Sequence, residues 1–317
     1  MLNLIKMIFY RILKNKIYFL MAVFIPPLVV IASLFFTNNV ENKIRVGVIN
    51  FTKDIEIENI NVIKLTEEPP ISELVQGKYD ALIIGNETGY EVKSIKGQEY
   101  EKLLKQIIDG KTPLKELFIS IENRGVISSQ IGFLTMLLML MGSMLYKFYY
   151  EDKKGTDKRI LYGTVSYKQY ILSHILVVFL ILFIPTILIC ILANIIFSLN
   201  IYVSVTEITF IIFTLCLLST SFSFFIASIT KTEENGSLLA TMAIVITSLI
   251  SGSIIEVSKQ GLPQKLAHLF PQRYIIDFSI QVERGEAASN ISMFVIIFIS
   301  ILLLTIGGII NKKRIQS

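Results

Sequence analysis

Six long apolar runs constrain this sequence more than any other feature. They span residues 17–37, 126–149, 170–199, 208–229, 237–255 and 291–310. About 20 consecutive apolar residues form a helix long enough to cross the hydrocarbon core of a bilayer. Lys and Arg occur in these runs only near an end, as Lys147 does, and a charge at the centre of a spanning helix costs about 2.5–3.5 kcal/mol. The pattern predicts an all-α polytopic membrane protein with six transmembrane helices.

The composition agrees with a membrane protein. Hydrophobic residues make up 53% of the 317 residues and charged residues 17%, whereas roughly a quarter of the residues in a soluble domain are charged. Cys190 and Cys216 both lie in apolar runs, so we expect them to pack as small apolar side chains without a disulfide or a metal. The first run is longer than the apolar core of about 7–15 residues in a cleaved signal peptide, which favours a permanent anchor.

Basic residues indicate which side of the membrane each connection faces. Lys and Arg are concentrated in residues 1–16, 150–169 and 311–317. These segments lie on one side if six helices alternate, and short loops rich in Lys and Arg face the cytoplasm. We therefore expect both termini in the cytoplasm of a multi-pass cell-membrane protein, with residues 38–125 and 256–290 outside.

Residues 38–125 differ from the spans because charges of both signs occur throughout them. Alternating or short apolar patterns predict strands at residues 44–49, 79–85 and 90–95, and helical patterns cover residues 71–76 and 100–109. We predict a small α+β extracellular domain inserted between the first two transmembrane helices.

No motif for catalysis or nucleotide binding is complete in this sequence. Gly110-Lys111-Thr112 resembles the end of a phosphate-binding loop, but Lys105 stands where that motif needs a glycine. We expect Glu207 and Glu256 to be solvated carboxylates at the outer ends of helices, and His174 to lie at the inner membrane interface. We expect no catalytic, cofactor-binding or metal site and no enzymatic activity, so energy for any uphill transport must come from another subunit.

Hydroxyl side chains are frequent in the fourth and fifth spans. Hydroxyls and small residues favour close helix packing in membranes, so packing is one interpretation. A weakly polar face that lines a transport pathway is the other. The residues are Ser219, Thr220, Ser221, Ser223, Ser228, Thr241, Thr247, Ser248, Ser251 and Ser253.

The connection after the second span carries a sequence resemblance. Residues 151–166 read EDKKGTDKRILYGTVS, which resembles the corresponding segment in permeases of the ABC-2 type transporter family, the membrane subunits of type V-like ABC exporters. The family pattern is an acidic residue, then Gly-Thr, a short helix and a Pro-Val-Ser-like exit. Six positions match it: Glu151, Gly155, Thr156, Leu161, Val165 and Ser166. Thr164 stands where proline is common and His174 where lysine is common.

The resemblance implies that this short helix docks into a groove of a separate ATP-binding cassette subunit and transmits its motion. On that basis we assign ATPase coupling to Glu151, Gly155, Thr156, Arg159, Leu161 and Val165. The residues themselves predict a helix with Thr156 or Asp157 as its N-cap and with charges and an exposed Leu or Tyr. A solvated basic loop that only sets the topology is the alternative interpretation.

Two further segments agree with the same family. Residues 1–16 mix apolar and basic side chains in a pattern typical of an amphipathic helix at the inner membrane surface, although a basic flank alone also explains them. Pro263, Pro271, Tyr274 and Gly285 match a stretch before the last span that often dips back into the outer leaflet. The resemblance thus predicts re-entrant helices within residues 256–290.

The resemblance implies a permease subunit of an ATP-driven ABC exporter for a peptide, a toxin or a drug-like or lipophilic substrate. ATP and Mg²⁺ would bind to the partner ATPase, and the permease would form a homodimer or pair with a related permease. No nucleic-acid partner is expected. The alternative is a non-transporting membrane sensor or immunity protein whose outer domain binds a ligand. A membrane enzyme is a third interpretation, but it requires a cluster of His, Asp or Glu, which the sequence lacks.

Overall fold

The computed structural model describes residues 1–39, 44–49, 60–65, 67, 69–70, 73–74, 78–86, 89–94, 98–109, 126–163, 165–197, 203–254, 262–286 and 290–316. The chain divides into two compact units. The larger unit comprises Met1–Thr37 and Arg124–Ser317, and the smaller comprises Asn38–Asn123.

Most of the described chain is helical, and a small sheet lies in the second unit. In chain order the elements are α1 (Leu2–Lys14), α2 (Lys16–Asn39), β1 (Ile44–Ile49), β2 (Ile60–Lys64), β3 (Ala81–Asn86), β4 (Gly89–Lys93), α3 (Gln98–Ile108), α4 (Val126–Leu145), α5 (Lys147–Asp152), α6 (Thr156–Tyr162), α7 (Tyr167–Phe197), α8 (Val205–Ile229), α9 (Glu233–Ile250), α10 (Leu262–Ala267), α11 (Pro271–Glu283) and α12 (Asn290–Gln316).

Within the described residues, four helical segments are long and apolar enough to cross a membrane: α4 together with α5, then α7, α8 and α12. Helices α1 and α2 meet at an angle of 86° and add a fifth candidate if the pair is one span. Helix α9 corresponds to the predicted fifth span, but its 18 residues begin with Glu233 and Glu234, and it does not pass the same test. The described part of the chain therefore contains four or five candidate spans, and six remains a prediction.

Helix α8 is the centre of the larger unit, since it packs against α4, α7, α9 and α12. It begins with a capping box in which Ser204 accepts from the backbone N–H of Glu207 while Glu207 accepts from that of Ser204. Glu207 thus satisfies the free backbone groups at the start of α8, a structural role that goes beyond the solvated carboxylate expected from the sequence. Glu256 lies outside the described residues.

Close approach between α4 and α8 depends on Gly142. A Cβ at this position would lie 2.5 Å from Ser219 Oγ and 2.8 Å from Ser223 Oγ. Ser219 Oγ donates a hydrogen bond to the carbonyl oxygen of Leu138 on α4. A glycine opposite a serine therefore allows a hydroxyl to bond across two helices, as is common in membrane bundles.

Two other buried hydroxyls of α8 donate hydrogen bonds within their own helix. Thr220 Oγ1 donates to the carbonyl oxygen of Cys216 at 2.8 Å, and Ser228 Oγ donates to that of Phe224 at 2.7 Å. Such bonds satisfy a polar group where no water reaches it. The described contacts of these three α8 hydroxyls, Ser219 included, therefore fit the packing interpretation.

Helices α10 and α11 form the connection before the last span. The carboxylate of Glu283, at the end of α11, accepts from the backbone N–H groups of Ile127 and Ser128 at 2.8 and 3.0 Å. A carboxylate at the N-terminus of α4 complements the free N–H groups and the helix dipole there. This contact ties α11 to α4, whereas a re-entrant path through the membrane remains a prediction.

The smaller unit contains a four-stranded sheet in the order β2-β1-β3-β4. Strand β1 pairs in parallel with β2 and β3, and β3 pairs antiparallel with β4. Helix α3 covers one face through Tyr100, Leu104, Ile107 and Ile108. The sequence predicts β1, β3, β4 and α3 to within about two residues but misses β2. Most of residues 71–76, and all of Gly110-Lys111-Thr112, lie outside the described residues.

Candidate functional site

Residues 147–163 form two short helices, α5 and α6, joined by a tight turn. Gly155 ends this turn with φ of 118° and is the N-cap of α6, which receives no side-chain cap. The prediction of Thr156 or Asp157 as N-cap is therefore wrong. A Cβ at Gly155 would meet no atom within 4 Å, so a glycine is needed for the left-handed backbone rather than for space.

Asp152, at the end of α5, is the most connected charge of this segment and is only 1% exposed. Its Oδ1 accepts from Arg11 Nη1 of α1 at 2.7 Å. Its Oδ2 accepts from the hydroxyl of Tyr170 at 3.3 Å and lies 3.2 Å from His174 Nε2. One carboxylate thus joins α1, α5 and α7.

The adjacent Glu151 shares the same arginine. Arg11 Nη2 donates to Glu151 Oε2 at 3.2 Å, and the guanidinium also lies over the ring of Phe148, 5.5 Å from its centroid. Glu151 is more exposed than Asp152. Arg11 therefore bridges an exposed and a buried carboxylate, and the fork geometry of arginine suits this arrangement.

A second buried carboxylate fixes α6 to the last helix. Asp157 Oδ2 accepts from Arg314 Nη2 of α12 at 2.7 Å, and Asp157 Oδ1 accepts from the backbone N–H of Lys158 at 2.7 Å. Asp157 is buried, whereas Arg314 is partly exposed. The first turn of α6 is thus held by the end of α12.

Lys153, in the turn between α5 and α6, faces the C-terminal end of α8. Its Nζ donates to the carbonyl oxygens of Ala227 and Thr230, the latter at 2.9 Å. A cation is favourable at a helix C-terminus, where carbonyl groups lack helical partners. Burial lowers the pKa of Lys153 to about 8, and the positive charge of Arg314 adds to this shift.

The opposite side of α6 is exposed and basic. Lys154, Thr156, Lys158 and Arg159 are exposed, and Tyr162 is 87% exposed. A tyrosine that projects from a basic helix is a side chain typical of protein interfaces. The segment therefore has two sides, one that holds the helical bundle and one that is free to contact a soluble partner.

The six residues assigned to coupling fall on both sides of this segment. Thr156 and Arg159 are exposed, and Glu151 is partly exposed beside Arg11. Leu161 and Val165 are partly buried and pack against the main hydrophobic core. The exposed large side chain expected from the sequence is Tyr162, whereas Leu161 contributes to anchoring α6.

Sequence reasoning missed the paired charges of this site, which are the buried Asp152 and Asp157 and the partly buried Arg11, Lys153 and Arg314. His174 was expected at the membrane interface, but it is buried beside Asp152. The sequence did point to two of these residues, because Asp152 and Asp157 lie within the segment that carries the family resemblance. Their partners come from distant parts of the chain, and no local pattern identifies such pairs.

The hydroxyl-lined pathway remains a prediction, and for metal ligation the described residues give one observation. No group of three or more His, Cys, Asp or Glu side chains there is placed to hold a metal ion. Cys190 and Cys216 are both buried and unbonded. Ion pairs that join distant parts of the chain lie around α5 and α6, and this arrangement is the candidate functional site.

A comparison with known families agrees with the geometry. The sequence model of the ABC-2 type transporter family matches residues 104–283, more than half of the 317 residues. The match includes α4 to α9 and the α10–α11 connection, and therefore all of α5 and α6. No curated protein matches this chain. With apolar helices of spanning length and a family match over the larger part of its sequence, the chain belongs to the ABC-2 type transporter family of membrane permeases.

Proposed function

We propose that this chain is the membrane-spanning permease subunit of an ATP-driven ABC exporter and that residues 151–166 receive force from a separate ATPase subunit. Membership of the family implies an ABC ATPase as partner in general. The observation that carries the specific proposal is the two-sided construction of this segment. Its inner side binds four other helices through Asp152, Lys153 and Asp157, and its outer side is basic and exposed.

The contacts of the inner side support a mechanical role. Asp152 connects to α1 and α7, Lys153 to α8, and Asp157 to α12. Hydrogen bonds to buried charged groups are costly to break, so a displacement of α6 moves its partner helices with it. ATP-driven closure of the ATPase would push on Thr156, Arg159 and Tyr162 and change how the helices pack.

The arrangement in the membrane follows from this proposal. Six spans, with α2 and α9 included, place both termini and residues 150–169 in the cytoplasm of a cell-membrane protein, where ATP is available. Residues 38–125 then lie outside. ATP and Mg²⁺ bind to the partner ATPase, and two permeases, identical or related, form the pathway.

The proposed cargo is a peptide, a toxin or a drug-like or lipophilic molecule. This proposal rests on the outer unit, which is larger than a plain loop, and on family analogy. A sensor or immunity protein has no observation in its favour, because the family match covers the helices that a transporter uses.

Co-purification tests the central proposal. The tagged chain is co-expressed with an ABC ATPase from the same genome and purified in mild detergent. We expect the ATPase to co-purify, and we expect Arg159→Glu to reduce the amount recovered at least several-fold because it reverses the charge of the exposed side. The matched control is Lys313→Glu, which reverses an exposed charge on α12 and should leave recovery unchanged. An ATPase that never co-purifies would overturn the proposed partnership, and equal recovery with Arg159→Glu would overturn the docking role of α6.

A further inference from the structure

The turn between α8 and α9 is held by side chains of residues 147–153. Helix α8 ends at Ile229 and α9 begins at Glu233, with Thr232 accepting from the backbone N–H of Asn235 as N-cap. The hydroxyl of Tyr150 forms a short hydrogen bond with Thr230 Oγ1. Lys153 Nζ donates to the Thr230 carbonyl oxygen of the same turn. Two side chains from α5 and its C-terminal end therefore converge on one residue of the turn.

Gly236 makes this contact possible. A Cβ at position 236 would lie 1.9 Å from the hydroxyl oxygen of Tyr150 and 2.7 Å from its Cζ. No other residue fits while Tyr150 keeps its position. Lys147 Nζ lies 3.7 Å from Glu233 Oε1, which adds an ion pair at the first turn of α9. The start of α9 is thus fitted to the side chains of α5.

Beyond this turn, α9 packs through a single narrow row of buried residues. Its buried residues are Gly236, Ala240, Ile244 and Ser248, one every fourth position. The opposite side carries large exposed apolar residues, with Leu238 63% and Met242 60% exposed. At the far end Gln272 Nε2 of α11 donates to Thr247 Oγ1 at 2.8 Å. A helix with few buried contacts has low local stability and moves more readily than a helix buried on all sides.

The chemistry of Lys153 indicates more than packing. An apolar side chain would fill the same space without placing an ammonium group in a largely buried position. The ammonium instead bonds the carbonyl oxygens of Ala227 and Thr230, which gives a directional link to the end of α8. Such a link fixes the position of Lys153 relative to the end of α8, because hydrogen bonds depend on distance and angle.

We propose that Tyr150, Lys153 and Gly236 are positioning residues that transmit motion of the α5–α6 segment to the first turn of α9. The α8–α9 turn is then a further output of the segment, separate from the Arg11–Asp152 link to α1 and the Asp157–Arg314 link to α12. This inference rests on the proposed function, since the motion originates in the ATPase.

Hydrogen–deuterium exchange of the complex tests the inference. The tagged chain with its ATPase is measured without nucleotide and with ATP and vanadate, and exchange is compared in peptides that cover residues 153–166 and 230–240. In the wild type both peptides should change with nucleotide. In Gly236→Ala and in Lys153→Met, the change in 153–166 should persist and the change in 230–240 should be lost.

Gly308→Ala is the matched control, because a Cβ at Gly308 of α12 would meet no atom within 4 Å. This variant should keep both nucleotide-dependent changes. If Gly236→Ala and Lys153→Met also keep the change in 230–240, the inference is wrong while the proposed function stands. If the wild type shows no change in either peptide although the ATPase is bound and hydrolyses ATP, the proposed function itself fails.

Discussion

Arg11 Nη1 and Asp152 Oδ1 lie 2.7 Å apart, although 141 positions separate the two residues in the chain. The pair connects the first helix to the segment that follows the second apolar run. Because Asp152 is buried, removal of its cationic partner leaves a carboxylate that water cannot solvate.

Arg11→Met should lower the stability of the purified chain by about 3 kcal/mol, the loss typical of a buried ion pair that keeps one partner. Thermal unfolding in detergent, followed by size-exclusion chromatography, measures the effect. Lys14→Met on the same helix removes an exposed charge and should change the transition little. Combining Arg11→Met with Asp152→Asn should recover part of the loss, and an unchanged transition in Arg11→Met alone would contradict the burial of this pair.

Gly155→Ala should destabilise the turn before α6 by about 1 kcal/mol, because φ of 118° disfavours any side chain with a Cβ. Gly155→Asn should lose less, since asparagine tolerates left-handed backbone better than alanine. Thermal unfolding of both variants measures the difference. Equal stability of wild type and Gly155→Ala would show that the turn adopts another backbone conformation.

Gly142→Ala should overpack the contact between α4 and α8, because its Cβ would lie 2.5 Å from Ser219 Oγ. Overpacking of this kind costs about 1–3 kcal/mol. A double variant that carries Gly142→Ala and Ser219→Ala also lacks the Ser219 hydroxyl and should regain part of the stability. Gly308→Ala again provides the control, and a Gly142→Ala chain as stable as that control would contradict the close approach of the two helices.

The free energy of unfolding should increase with pH above about 8, because Lys153 loses its proton more easily in the folded chain than in the unfolded chain. The pKa of Lys153 falls to about 8 in the folded chain from an ordinary value of 10.5 because of burial. Between those two values the unfolded chain binds more protons than the folded one, so stability increases as pH rises and is lost as pH falls through about 8.

Carbon-13 spectra of reductively methylated protein measure this titration, and the Lys153→Met variant assigns the Lys153 signal by removing it. We expect a midpoint near 8. A Lys153 signal that titrates near 10.5 would contradict the burial of its ammonium group.

Apolar runs predicted the helices of the larger unit well, because spanning length and exclusion of charge leave few alternatives. The six predicted runs lie on α2, α4, α7, α8, α9 and α12. The ends of the helices were predicted less well. In α9, for example, Glu233 and Glu234 belong to the helix although the apolar run begins later. In the smaller unit, β2 was not predicted, because its parallel pairing with β1 depends on residues distant in sequence.

The sequence predicted where the candidate site lies in the chain but not which of its residues interact. Family resemblance located residues 151–166, and local pattern indicated an exposed basic helix. The roles of Asp152 and Asp157 were not visible, because they depend on Arg11, His174 and Arg314, which only the folded chain brings close. The sequence did not indicate a role for Gly236 either, since this residue leaves room for the Tyr150 ring of α5.

The burial of α1 against α7 has a consequence for synthesis of the protein. Leu4, Ile8 and Ile12 form the buried side of α1, and α1 packs against α7. Arg11 meets Asp152 only after 141 more residues are made, which takes about 7–28 s at roughly 5–20 residues per second. During this interval the nascent α1 has neither its ion pair nor its apolar partner. The membrane surface offers this amphipathic helix an apolar environment until α7 is made.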